Sequence, residues 1–314
     1  MSRPVVVFGG AHIDRRGRIE GETVMGASNP GHFISEAGGG GFNAARALSR
    51  LGNAVRLVAP RGGDEAGESV AAAAVEAGID DRPFVFLDRV TPSYTAILDR
   101  DGGLIVAIAD MDLYRLFTPR RLRTLSVRAA LDGAGAILCD ANLPVETLAT
   151  LAEIAAELRL PLAAIAISPA KVVRFRPIID RLDWLFMNAA EAKALTGASP
   201  ACPAEWPAIL RGVGLGGGIV TGGSGPIVAF EGEAAAMLTP PHLDIVADVT
   251  GAGDATAAGF LSAWLRGTPL TEALREGVAA ALITLETPSA TAAALSPDAL
   301  KSHLPLVPVA KMLS

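Results

Sequence analysis

Asp248-Val249-Thr250-Gly251-Ala252-Gly253-Asp254 runs straight into the apolar stretch Ala255–Leu265. The string reads as a glycine-containing turn that delivers one carboxylate to the first turn of a helix. Gly251 and Gly253 let a ligand come close to the backbone. The first N–H groups of a helix lack intrahelical acceptors and point outward, which suits an anion and a phosphate in particular. Asp254, beside the positive end of that helix, is expected to be ionised and able to accept a proton. The plain alternative is a loop whose aspartate caps a helix.

Three further stretches carry residue types of the same kind. Gly38-Gly39-Gly40-Gly41-Phe42-Asn43 costs backbone entropy, and such a loop commonly lets something approach it. Asn43, at the head of the following helix, can bond a hydroxyl-bearing ligand or simply cap that helix. Asn188-Ala189-Ala190-Glu191 places an amide and a carboxylate three apart at a helix start. That pair suits a hydrated magnesium ion with bridging phosphates, or a capping box. Val220-Thr221-Gly222-Gly223-Ser224-Gly225 is a strand entering a flexible turn that could cover a nucleotide. Two nucleotide motifs are missing. No Gly-Lys pair occurs, so there is no P-loop, and the 38–43 loop lacks the last glycine of the dinucleotide fingerprint.

The elements around these stretches alternate. Residues 4–9, 55–59, 136–139, 162–167, 184–188 and 218–221 read as strands. Residues 42–51, 65–77, 120–131, 144–158, 190–196, 255–265 and 270–286 read as helices, and 172–179 as a helix or turn. Residues 227–230 and 234–238 read as a hairpin-like pair, and the tail after Pro297 as helix then loop. Such alternation implies an α/β fold with a parallel sheet covered on both faces, and ligands bound beyond the carboxyl ends of the strands. Residues 12–36 and the hairpin 94–108 break the alternation, so they are expected to pair into a small sheet acting as a lid.

Of the 314 residues half are hydrophobic and only 5% aromatic, which fits an Ala/Val/Leu/Ile core under helices. A net charge of −6 without a basic run argues against nucleic-acid binding. Cys139 and Cys202 are the only cysteines, too few for a disulfide framework. His12, His32, His242 and His303 show no metal-ligand spacing. The short apolar run Val5–Phe8 is neither a signal segment nor a membrane span, so a soluble, cytoplasmic protein is expected.

The order of motifs, a glycine loop with Asn43, then Asn188-x-x-Glu191, then Thr250-Gly251-Ala252-Gly253-Asp254, resembles the ribokinase-like (PfkB-type) family of sugar and nucleoside kinases. The resemblance covers essentially the whole chain. It implies one domain over 1–314: a three-layer α/β/α unit with a mostly parallel central sheet and a small β-sheet lid from about 12–36 and 92–112. It implies Asp254 as the base for the acceptor hydroxyl, and Gly251, Ala252 and Gly253 as the anion hole. It implies Asn188, Thr221, Gly223 and Gly225 around ATP, Glu191 ordering Mg²⁺ through water, and Asp248 and Thr250 near a K⁺ held by backbone oxygens. Asp14, Gly39, Gly40 and Asn43 become the acceptor grip.

Finer segments resemble the pseudouridine kinases within that family: Ser28-Asn29-Pro30-Gly31, Tyr94–Leu98, Ala109–Asp112, Asp140-Ala141-Asn142-Leu143 and Ser168-Pro169-Ala170-Lys171. They add Asn29 and Asn142 to the acceptor grip. Thr95, Ile97 and Met111 are the candidates for a wall against the base. The implied acceptor is the ribose 5′-hydroxyl of pseudouridine, with another sugar or ribonucleoside, or a non-catalytic binding protein, as alternatives. Relatives often carry an Asp-Pro pair just before Ser168, where this chain has the apolar run Ala164–Ile167. The lid implies a homodimer.

Overall fold

The computed structural model describes residues 3–313. A ten-stranded sheet runs through the molecule in the order Lys311–Met312, Ala234–Leu238, Gly225–Glu231, Gly217–Gly222, Trp184–Asn188, Leu162–Ile165, Ala136–Asp140, Val5–Phe8, Val55–Val58, Asp80–Asp81. From Gly217–Gly222 to Asp80–Asp81 every pairing is parallel, and the remaining edge is antiparallel. The central strands are largely apolar runs because both faces are covered. Val5 and Val7 join one buried cluster with the helices Gly40–Arg50, Ala252–Leu265 and Leu270–Leu285. Val6 and Phe8 join a second cluster with Leu125–Leu131 and Val145–Leu158 on the opposite face. This is the expected three-layer α/β/α arrangement.

The helix that starts at the 248–254 turn is fixed from beneath by aromatic rings. Phe260 meets Trp184 of the sheet with ring centroids 4.4 Å apart, and Trp264 meets the same ring at 5.9 Å. Burying a side chain such as Phe260 contributes about 1.5–3 kcal/mol. On its other side Gly259 lies against Leu270–Leu285, where an added Cβ would sit 2.8 Å from both Ala280 Cβ and Glu276 O. The close crossing sets the depth at which the helix start meets the cleft.

A second, four-stranded sheet has the order Gly31–Gly38, His12–Ile19, Ser93–Leu98, Leu104–Asp110. It is the expected lid.

Several expectations need correction. The expected helix 120–131 is two, Pro119–Leu122 and Leu125–Leu131. Thr124 takes an extended backbone between them and its hydroxyl donates to Arg121 O at 2.8 Å. The strand expected over 162–167 stops at Ile165, and Ile167 turns into the left-handed region (φ 69°). The glycine loop is shorter than expected, since Gly40 and Gly41 already belong to the helix. Residues 172–179 are mostly 3₁₀ turns with Pro177 inside. The tail ends in a short strand, Lys311–Met312, that completes the sheet edge, and Pro60–Gly62 pairs with Phe84–Phe86 in a small sheet the pattern did not reveal.

Candidate active site

Gly251 caps the helix Ala252–Leu265 in the left-handed region (φ 81°), and a side chain there would collide with the carbonyl of Ala290. Only glycine fits. Gly253 is exposed, with nothing within 4 Å of where a Cβ would be. Among the described residues, the N–H groups of Gly253 and Asp254 find no acceptor. They are the open donors of a helix start.

Asp254 lies in the first turn of this helix. Its Oδ2 accepts from Asn43 Nδ2 at 3.0 Å. The Asn43 amide is oriented from behind, because Arg46 donates to its Oδ1 at 2.8 Å and to Ala37 O at 2.8 Å. Burial brings the Arg46 pKa down to about 10, with Arg50 adding to the effect. The charge on Asp254 differs from expectation. Burial first, then the negative charges of Asp140, Glu191 and Asp14, push its carboxyl up to about 7, against the opposing bond from Asn43. Desolvation outweighs the helix terminus. Near neutral pH the free protein divides between the carboxylate and the acid.

In front of this carboxylate opens a cleft of about 850 Å³. Asn188, Glu191, Thr221 and Gly223 line it together with the 251–254 turn, so three separated sequence signals meet at one sheet edge. Gly225 is not among the lining residues; it pairs with Gly222 at the base of the hairpin. Asn188 and Glu191 form a capping box: Glu191 N donates to Asn188 Oδ1 at 2.9 Å and Asn188 N donates to Glu191 Oε2 at 2.7 Å. Burial pushes the Glu191 carboxyl up. Its Oε1 remains for the cleft. Ile165 and Ile167 also line the cleft, so this part of its wall, where the resemblance leads one to expect a carboxylate, is apolar. Among the described residues no group of three or more His, Cys, Asp or Glu converges on a metal position. The residues fit a magnesium ion that keeps most of its waters and is held chiefly by phosphate oxygens.

Asp248 spends its carboxylate locally. Its Oδ1 accepts from Thr250 N at 2.8 Å and Thr250 Oγ1 at 2.7 Å, and its Oδ2 pairs with Arg16 of the lid. Burial pushes its pKa up, but the bonds from Thr250 and Arg16 outweigh this and bring it below the usual range. Only backbone oxygens of 248 and 250 are left for a cation. Arg16 also pairs with Glu36, and Ser289 Oγ donates to Glu36 at 3.2 Å. These bonds join the lid to the main domain.

Strand register decides which lid residues face the cleft. Asp14 lies opposite Glu36 and Tyr94, and Arg16 opposite Ala96. Opposed residues share a face, and Arg16 and Glu36 reach Asp248 and Ser289, so this face turns toward the main domain. Thr95 lies opposite Arg15 and Ile97 opposite Gly17. Both therefore lie on the lid face opposite to that of Arg16 and Glu36, and Tyr94 and Ala96 share the face of Arg16. Asn29 closes its own loop, bonding Val24 N, Val24 O and Ala27 O at 2.8–3.0 Å. Met111 is half-buried at the start of the turn Asp112–Leu116. Gly39 (φ 104°) and Gly40 pass directly beside Gly10 and Asp254 respectively.

Asn142 is buried. Its Nδ2 donates to Asp140 Oδ2 at 3.0 Å, and its Oδ1 accepts from Lys171 Nζ at 2.7 Å. Asp140 was not singled out as a site residue. Fully buried, it accepts from Gly10 N at 2.8 Å, Gly41 N at 2.9 Å and Asn142 N at 2.8 Å. It thereby ties the end of the first strand to the helix that carries Asn43. The one sequence signal was a carboxylate at the end of an otherwise apolar strand.

Comparison with known proteins agrees with this geometry. A family model described as pfkB family carbohydrate kinase matches residues 2–297. Pseudouridine kinase of Escherichia coli (strain K12) is 30% identical over 278 residues, 86% of this chain and 87% of that protein. A structure described as a carbohydrate kinase from Agrobacterium tumefaciens is 58% identical with a TM-score of 0.91, covering 99% of this chain and 100% of that one. Ribokinase of Arabidopsis thaliana, complexed with ribose and ATP, shares the fold at 23% identity with a TM-score of 0.84, over 97% and 99% of the two chains.

Proposed function

Since the chain belongs to the pfkB family of carbohydrate kinases, and is therefore an ATP-dependent phosphotransferase acting on a sugar or nucleoside hydroxyl, we propose that its acceptor is the ribose 5′-hydroxyl of pseudouridine. The observation that carries this reading is the 30% identity to a pseudouridine kinase over 86% of the chain. The inward lid face sets Tyr94 beside Asp14, an aromatic ring for a base next to a carboxylate for hydroxyls.

In this reading the acceptor hydroxyl lies against Asp254, and its proton passes to the carboxylate as the oxygen attacks. A base with a pKa near 7 is well matched to that task. Of the anion hole expected at Gly251, Ala252 and Gly253, the Ala252 N–H is drawn to Val249 O at 3.4 Å, and the open N–H of Gly253, joined by that of Asp254, meets the phosphoryl oxygens as charge builds up. Thr221 and Gly223 border the nucleotide, and Glu191 orders a water of the magnesium ion, which when bound neutralises phosphate charge. A potassium ion at the backbone oxygens of Asp248 and Thr250 would add to the field at the same helix start. The lid keeps bulk water from the reacting atoms. No helix among the described residues is long and apolar enough to cross a membrane, and we place the enzyme in the cytoplasm.

The lid's outward face carries exposed Phe33, Val106 and Ile108, enough apolar surface to hold a second copy of the chain. We take the working form to be a homodimer through the lids. A second reading, phosphorylation of a simple sugar or another ribonucleoside, is favoured by the 58% identical structure described only as a carbohydrate kinase.

The deciding experiment measures ADP release with pseudouridine, uridine, adenosine, ribose and fructose as acceptors. Pseudouridine is expected to give the highest kcat/KM. A preference for ribose or fructose would replace this reading with the second.

A further inference from the structure

Three residues outside the reaction chemistry form a chain that ends on the acceptor aspartate. Tyr114 Oη lies 2.8 Å from His12 Nδ1, and His12 Nε2 lies 3.2 Å from Asp14 Oδ1. The chain runs from the interior toward the cleft: Tyr114 is 2% exposed, the His12 side chain 8% and the Asp14 side chain 21%.

The hydrogen-bond chemistry of the chain has one direction. An ionised Asp14 only accepts, so Nε2 of the imidazole carries the proton. In that tautomer Nδ1 is the acceptor, and the Tyr114 hydroxyl donates to it. Burial, with the charges of Asp140 and Asp14, pushes the Tyr114 phenol up, which keeps it a donor. Asp14 Oδ1 is thus held, and Oδ2 has no partner among the described residues.

Glycines clear the space the chain occupies. A Cβ at Gly38 would collide with Asp14 Oδ2. A Cβ at Gly39 would sit 2.9 Å from His12 Nδ1, and one at Gly10 3.1 Å from Tyr114 Oη. Part of the glycine run thus makes room for this carboxylate and imidazole, beyond any need for close approach by a ligand.

We propose that Tyr114 and His12 are positioning residues for acceptor binding, fixing Asp14 so that its free Oδ2 accepts a hydroxyl of the acceptor. The inference rests on the reading of Asp14 as part of the acceptor grip. A held carboxylate does not have to be ordered each time an acceptor binds, and that advantage belongs in KM for the acceptor.

The test is steady-state kinetics of the full-length enzyme with pseudouridine as acceptor and ribose in parallel. Tyr114→Phe removes one hydroxyl and keeps the ring. It is expected to raise KM for the acceptor about fivefold, the equivalent of one hydrogen bond, with kcat and KM for ATP within about twofold. His12→Gln keeps an N–H at the Nε2 position and is expected to retain most of the acceptor affinity. His12→Leu is expected to lose it, with no further loss when Tyr114→Phe is added. Equal losses in kcat, acceptor KM and ATP KM for Tyr114→Phe would mark the residue as merely structural and overturn the proposal. If Asp14→Asn weakens acceptor binding while Tyr114→Phe and His12→Leu do not, the positioning role alone falls. If Asp14→Asn leaves acceptor KM unchanged, the acceptor-grip reading falls with it.

Discussion

At Gly251–Asp254, open backbone donors and one carboxylate come from four consecutive residues at the end of one buried helix. On the lid side, the groups facing the cleft come from four strands whose facing depends on register. The first region is local and rigid, packed on Trp184 and the following helix. The second is held to the main domain by Arg16 to Asp248 and Ser289 to Glu36. Reaction chemistry common to a family belongs on the first kind of structure, and acceptor choice on the second.

The largest expected effect separates fold from chemistry within the first region. Gly251→Ala meets the Ala290 carbonyl at a positive φ, so loss of both stability and activity is expected. Gly253→Ala has open space around it and should fold normally. If the phosphoryl group approaches this backbone, the added methyl stands in its way and kcat nevertheless falls, by about 100-fold if the displaced phosphoryl loses the N–H contacts. Unfolding midpoints and kcat for both variants check this, and a fully active Gly253→Ala would remove the anion hole from residues 251–253.

The next effect breaks the link between the two regions. Arg16→Gln removes the pairing to Asp248 and Glu36. A fall in kcat/KM for the acceptor of about tenfold is expected, matching the loss of roughly 1.4 kcal/mol for a charged, partly buried bond. The wild type should lose activity in high salt more steeply than the variant. Equal salt profiles would show that the bridge is unimportant for turnover.

The smallest effect lies on the lid's outer face. Ile108→Asp places a charge on the exposed apolar surface beside Val106. A dimer should become a monomer in sedimentation, with only a modest change in kcat. A wild type that sediments as a monomer would end the lid-dimer reading.

The two regions also differed in how legible they were. The 248–254 turn could be read because its parts adjoin in sequence, and the α/β layers because each strand is an apolar run. Asp140 could not, since its partners Gly10 and Gly41 are 130 and 99 residues away. Which lid face carries Thr95 and Ile97 was not legible, because alternation defines two faces without saying which turns inward. That choice is made by the parallel pairing with His12–Ile19. The break at Thr124 and the two-residue strand Lys311–Met312 have no periodic pattern to reveal them. The raised pKa of Asp254 comes first from burial by the folded chain and then from carboxylates of three other segments, so the helix terminus alone gave the wrong balance.

The most direct test of Asp254 as the base is the pH dependence of kcat/KM for the acceptor, with Asp254→Asn as the baseline. A base acts when deprotonated, so the wild-type rate should climb with pH through about 7 and level off above it. The variant should lie about 10³-fold lower with no such rise, while still binding pseudouridine in calorimetry. A wild-type profile without a break near neutrality, or a variant within tenfold of wild type, would contradict the assignment.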